Sequence, residues 1–367
     1  MKRWFMLLLV CLASMSCACD TPVYEYALTK WPADEYEFIV FHRGNAGAKA
    51  ALAELRTATD GAANLVVRES DLAQGSLYEE LLVDHPAASM PWLIVRYPAR
   101  PEPAVDGGQL VVTSRRVAWA GPLEKNTASE WLKSPARQKI ARLLLTGRMA
   151  VWLLLESGDR ARDEVAHTLL TRELARLERT LKLPELSGVP STNQISFAVM
   201  RVSRTDSRER AVNVMLMGLG ADLTERVGEP MVYPIYGRGR VLPVLVGSDI
   251  NETTIAKDAE FITGSCSCEV KSENPGMELL ISADWDGALT GSAGIADFAE
   301  RGAVAEKQLD ATATGTLANA GDRPDTGAAR RDRPSVVWVP MFVWTLVLAV
   351  AAGIGLTVAR RKKGNRR

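Results

Sequence analysis

The sequence predicts an α/β protein in two tandem halves, each built on a mixed sheet, followed by a C-terminal transmembrane helix. Three observations carry that reading. Apolar strand-like runs alternate with helical ones twice along the chain. The stretch EPMVYPIYGRGRVLPVLVG, residues 229 to 247, reads as a proline, an apolar strand, a Gly-containing turn and a second apolar strand, which adds an antiparallel hairpin to parallel βα units. Residues 336 to 359, VVWVPMFVWTLVLAVAAGIGLTVA, are 24 positions without a charge, enough for a hydrocarbon core that needs roughly 20.

Taken in order, residues 1 to 18 have the plan of a secretory signal: Lys2 and Arg3, an apolar run to about Leu12, then small residues. Cleavage after Ala18 and lipoprotein processing at Cys17 or Cys19 are both open, although neither cysteine has leucine three positions before it. Cleavage would leave Cys19 as an odd exported thiol, whereas lipidation would use it, so Cys19 is a candidate lipidation site. The folded part runs from Thr21 to Leu289 and divides near Thr146 and Gly147 into residues 21–146 and 147–289.

In the first half, YEFIVFHRG is a strand, NAGAKAALAELRTAT an Ala-rich helix, ANLVVRES a strand, LAQGSLYEELLVDH a helix, MPWLIVRYP and VAWAGPL strands, and ASEWLKSPARQKIARLLL a closing helix. In the second, MAVWLLLES is a strand and DRARDEVAHTLLTRELARLERTLKL a long helix. That helix carries Val165, Leu169, Leu170, Leu174, Leu177 and Leu181 on one face and solvated charges on the other. QISFAVMRVSR, RERAVNVMLMGLG, the hairpin and NETTIAKDAEFITG complete the order. Residues 290–335, rich in Ala, Gly, Thr and charge, read as a flexible tether. The basic tail 360–367 after the apolar stretch 336–359 places everything before it on the extracytoplasmic side.

The order β-α-β-α-β-β-α with a proline opening the third strand resembles the thioredoxin fold, whose family carries a cis-proline there. The matching residues are Pro91 in SMPWLIVRYP and Pro230 in the hairpin, the second the closer match over about 35 residues. The first match is looser, because ARPEPAVDGGQLVVTSRR intervenes between its strands. The resemblance implies two tandem thioredoxin-like domains, with Pro91 and Pro230 shaping binding grooves. It stops at the chemistry. Thioredoxin enzymes hold a thiolate at the first helix's N-terminus, where dipole and free amides favour negative charge. FHRGNAGAK and ESGDRARDE, at the corresponding places, have no cysteine.

Beyond Cys19 the cysteines are Cys266 and Cys268 in TGSCSCEVK. On an extended backbone both point to one side. A structural disulfide or two idle thiols, a labile redox pair, and a shared soft metal such as copper all remain open. His42, His85 and His167 are scattered, and no metal-ligand set or cofactor motif is legible. DWDG from Asp284 lacks the closing carboxylate of a calcium loop, Ile295 standing there. GLGADL lacks a dinucleotide fingerprint's third glycine. Lys plus Arg and Asp plus Glu balance at 44 each, which gives no field for nucleic acid. The sequence therefore points to a membrane-anchored, periplasmic binding or assembly protein of a bacterial envelope, with a protein or peptide as partner. An envelope thiol-disulfide oxidoreductase or copper carrier using Cys266 and Cys268, or an accessory subunit of a transporter complex, are the alternatives.

Overall fold

All seven residues of Tyr36–His42 (β1) are buried, as befits a strand covered on both faces. In the computed structural model, which describes residues 21–44, 46–58, 63–102, 112–184, 194–220, 222–266 and 270–290, this strand organises the first sheet. It runs parallel to Leu65–Asp71 (β2) and antiparallel to Trp92–Arg96 (β3). The loose excursion after β3 forms its own small hairpin, Arg100–Glu102 (β4) with Val112–Ser114 (β5). Val117–Pro122 (β6) then pairs antiparallel with β3, giving the order β2-β1-β3-β6.

The second sheet repeats the plan. Ala150–Glu156 (β7) is parallel to Phe197–Ser203 (β8) and antiparallel to Met231–Tyr236 (β9). The second arm of the hairpin is split into Arg240–Val241 (β10) and Leu245–Val246 (β11), both on β9. Met277–Glu278 (β12) adds a further strand to β10, so the main order is β12-β10-β9-β7-β8. Two mixed sheets of the same hand-over, parallel then antiparallel, are consistent with thioredoxin-like domains.

The helices are Val23–Thr29 (α1), Ala46–Ala58 (α2), Leu81–Asp84 (α3), Thr127–Leu132 (α4), Pro135–Leu145 (α5), Arg160–Thr180 (α6), Arg210–Met217 (α7), Glu252–Thr263 (α8) and Trp285–Thr290 (α9). Three depart from the sequence expectation. LAQGSLYEELLVDH yields only the single turn α3. The side chains of Asp71, Ser76 and Glu79 take the backbone amides of Ala73, Tyr78 and Ser76 and hold turns there instead. The closing helix of the first half is two, because Ser134 caps Arg137 N and Pro135 starts a new helix. On α6 the buried face is Asp163, Ala166, Leu170, Glu173, Leu174 and Leu177, while Val165 is 70% exposed. The expected stripe is thus rotated, and the charged side is not wholly solvated: Asp163 and Glu173 are inside because each carboxylate has local donors, Arg176 serving Glu173 at 2.9 Å.

One apolar cluster takes a face from each sheet. Phe38, Val40, Leu93 and Val95 of the first and Val151, Leu153, Tyr233 and Ile235 of the second share it with Trp131, Ile140 and Met215 from α4, α5 and α7. The outer face of the second sheet is covered by α1, α6 and α8. The outer face of the first has a smaller cluster of Ile39, Phe41, Trp92 and Ile94 beneath residues 72 to 90. The two halves are laced together: α1 precedes β1 but packs Val23, Tyr24 and Ala27 against the second sheet. Conversely, Asn64, just before β2, donates to Leu279 O and accepts from Ile281 N.

No helix among the described residues is long and apolar enough to cross a membrane. Residues 1–18, Cys19, Cys268, the tether beyond residue 290, the apolar stretch 336–359 and the tail 360–367 lie outside the described residues.

Candidate functional site

The two prolines occupy equivalent places. Leu123, directly after β6, donates to Pro91 O at 2.9 Å, and Gly247, directly after β11, donates to Pro230 O at 3.0 Å. In each sheet the proline therefore leads the third strand and is pinned by the residue that follows the fourth. Their surroundings differ. The Met90–Pro91 peptide is cis, whereas Glu229–Pro230 is not. Pro91 is half-buried, and the backbone of Ser89 and Met90 makes no hydrogen bond among the described residues. Pro230 is buried, and the carbonyls leading to it are occupied: Arg162 donates to Gly228 O at 3.2 Å, and Arg204 donates to Val227 O and, at 3.0 Å, to Glu229 O.

The helix N-terminus beside Pro230 is equally engaged. Asp159 caps α6, accepting from Ala161 N at 3.0 Å and Arg162 N at 3.2 Å. The buried Asp163 accepts from Ser157 N at 2.7 Å, Ser157 Oγ at 2.8 Å and Gly158 N at 3.1 Å. Amides that could stabilise a thiolate thus serve the chain's own carboxylates, so SGDRARD is a self-satisfied turn. In the first half, His42 closes β1. Gly44 N donates to its Nδ1 at 3.0 Å, so Nε2 carries the hydrogen and donates to Glu69 Oε1, also at 3.0 Å. The ring ties the loop to β2, and no nucleophile stands against it among the described residues.

Cys266 is 2% exposed and packs in the outer cluster of the second sheet below α8. A sulfur this deep meets a solution reactant only after local opening. Cys268 lies outside the described residues.

Sequence reasoning missed a cluster of buried charge. A cleft of about 850 Å³ is lined by Asp34, Arg100, Val244, Lys271 and Asn274 beside Arg240. Arg240 gives every guanidinium N–H to a partner: Pro275 O at 3.0 Å, both Glu278 oxygens at 3.1 and 3.2 Å, Lys271 O at 3.3 Å and Asn274 O at 2.7 Å. Lys271 Nζ bridges Asp34 at 2.8 Å and Glu278 at 2.7 Å. Burial holds the Glu278 carboxyl above the usual range, against the opposing pull of Arg240 and Lys271. With its donors spent, Arg240 straps residues 271–278 to the hairpin and has no N–H left for a ligand. The legible trace was a lone carboxylate in the apolar run GMELLIS.

On α8, burial pushes the Asp258 carboxyl up to about 6, and its Oδ2 has no partner among the described residues. A raised carboxyl stabilises the fold below its unfolded value and loses that contribution as pH rises through about 6. Asp258→Asn is therefore expected to raise the melting temperature at pH 8, with a gain that shrinks through pH 6 and is gone by about pH 4. Solvent screening of this partly exposed group holds the gain to about 1 kcal/mol. Thermal denaturation across that range checks it, and a gain independent of pH would refute the assignment.

No family model matches the chain, and no curated relative matches it. Among solved structures it is similar to the crystal structure of ERdj5 form I, with 11% identity over 70% of this chain and 31% of that one, at a TM-score of 0.19. It is also similar to full-length ERdj5, with 13% identity over 69% and 33% of the two chains, at a TM-score of 0.18. This chain spans about a third of the length of those structures. Such superpositions fix no element here; the strand order of the two sheets carries the architecture.

Proposed function

We propose that this chain is a membrane-anchored, extracytoplasmic binding or assembly protein whose thioredoxin-like domains grip a partner segment without exchanging electrons with it. Its leader would export it, the apolar stretch 336–359 would hold it, and lipidation of Cys19 would add a second tether. The observation that carries the reading is the contrast between the prolines: the backbone before Pro91 has no hydrogen-bond partner among the described residues and so could pair with an extended peptide, while Pro230 and the α6 N-terminus beside it are satisfied internally. Pro91 is accordingly the principal groove and Pro230 mainly a structural copy of it.

A photo-crosslinking residue placed at Ser89 in the full-length protein, compared with one at Glu229, tests this. The expected result is one discrete adduct from position 89, lost in Pro91→Ala and unchanged when Cys266 and Cys268 are both serine. Equal crosslinking from both positions, or loss of the adduct with the cysteines, would overturn it. Deleting residues 336–359 should move the protein from the membrane to the soluble fraction.

A further inference from the structure

We infer that the outer edge of β8 docks an extended, carboxylate-bearing segment of another protein, which joins the second sheet as an added strand. This surface is separate from the Pro91 groove and does not depend on it. β8 ends the strand order among the described residues. Its free side follows from Pro234, which turns its carbonyl to Leu242 N at 2.9 Å and so away from β7. Tyr233 and Ile235 must then bond Val151 and Leu153 of β7, which leaves Trp152 and Leu154 to face β8. By the register of that parallel pair, Ala198, Met200 and Val202 bond β7, and the backbone of Phe197, Val199, Arg201 and Ser203 faces outward.

The ends of this edge are closed. Phe197 N donates to Glu178 at 2.6 Å, Phe197 O accepts from Arg148, and Ser203 O accepts from Asp206 N at 3.2 Å. Between them, the N–H and C=O groups of Val199 and Arg201 have no partner among the described residues. They line a trough of about 400 Å³ walled by Pro135, Ala136 and Lys139 on one side and His167 on the other. Backbone groups left open along a trough are what strand addition uses.

The charge of the trough sets the partner's chemistry. Asp206 is spent on Arg208 at 2.7 Å, and Glu209 on Ser134 Oγ and Ala136 N. Arg201 is held by Glu156 at 2.7 Å and Glu164 at 2.9 Å, while His167 stands 4.0 Å from Glu164. Lys139 is exposed and has no ion pair among the described residues, so the side toward α5 offers one cation to an incoming carboxylate. A second copy docked edge to edge would bring a further Lys139 to a trough whose own carboxylates, Asp206 and Glu209, are already engaged.

The probe is a blocked, fluorescein-labelled heptapeptide of alternating valine and aspartate, with its lysine counterpart as control, added to the full-length protein in mild detergent. The aspartate peptide is expected to slow hydrogen exchange at the Val199 and Arg201 amides, and the lysine peptide to leave them fast. Val199→Pro removes an outward N–H without touching a bond to β7 and is expected to weaken binding at least tenfold. Lys139→Glu, on an exposed helix surface, is expected to reverse the peptide preference and serves if the proline variant is misfolded. Pro91→Ala should change neither result, which separates this site from the proposed groove. Absence of protection, equal protection by both peptides, wild-type affinity in a folded Val199→Pro variant, or amides already protected before peptide is added would each overturn the proposal.

Discussion

Replacing Arg240 with methionine is expected to lower the unfolding free energy by about 3–5 kcal/mol, because it strips one partner from a buried ion pair and leaves the other uncompensated. Arg240 and Glu278 are both almost wholly buried, and the guanidinium also satisfies the carbonyls of Lys271, Asn274 and Pro275. Urea unfolding followed by circular dichroism measures the loss. Its pH dependence identifies the cause. Without Arg240 the Glu278 carboxyl, already raised by burial, rises further, so it protonates more readily and the deficit relative to wild type shrinks as pH falls. The double variant R240M/E278M should recover part of the loss. Recovery stays incomplete because three carbonyls each lose one donor, the Arg240 guanidinium, whether or not the carboxylate is present. A deficit independent of pH, or full recovery in the double variant, would assign the loss to packing or to the ion pair alone.

Tyr97→Ala is expected to cost a similar amount, about 3–5 kcal/mol, and to weaken both sheets together. Tyr97 follows β3 of the first sheet, yet its hydroxyl donates to Met215 O at 2.9 Å and lies 3.2 Å from Val214 O, both on α7 of the second half. Its ring packs 5.8 Å from Tyr36 and beneath the Arg116 guanidinium at 5.3 Å. The fit is close: a Cβ on Gly218 would stand 2.0 Å from the Tyr97 hydroxyl. Gly218→Ala should therefore destabilise by about 1–3 kcal/mol through overpacking, and Tyr97→Phe should relieve part of that. Hydrogen exchange at β1 and β7 tells whether the seam joins the halves. Protection lost equally in both strands is expected, and loss confined to β1 would show that the sheets open independently.

Much of the fold was legible because it is local. β1, β7 and the apolar arm of the hairpin are runs of large apolar side chains, and α6 and α8 announce themselves by Asp159 and Asn251 at their caps. The breaks were harder to see. Ser134–Pro135 reads as an interruption only once its cap is formed, and α3 loses its helix to side-chain bonds that periodicity does not register. The prolines were found from strand order, but sequence pattern cannot tell an open groove from one whose carbonyls are held by Arg162 and Arg204.

By itself the sequence determined the alternation of strands and helices, the doubled α/β plan, the absence of cysteine from the two loops that resemble redox sites, and an uncharged stretch long enough to span a bilayer. These are properties of neighbouring residues, fixed by side-chain volume, polarity and period. The tertiary structure alone decided that Asp163, Glu209 and Glu278 are buried, that α1 crosses to the second sheet, and that β8 has no strand on its outer edge among the described residues. A carboxylate can leave water only where donors converge on it, and although Asp163 finds its donors nearby, those of Glu209 and Glu278 come from as far along the chain as Ser134 and Arg240.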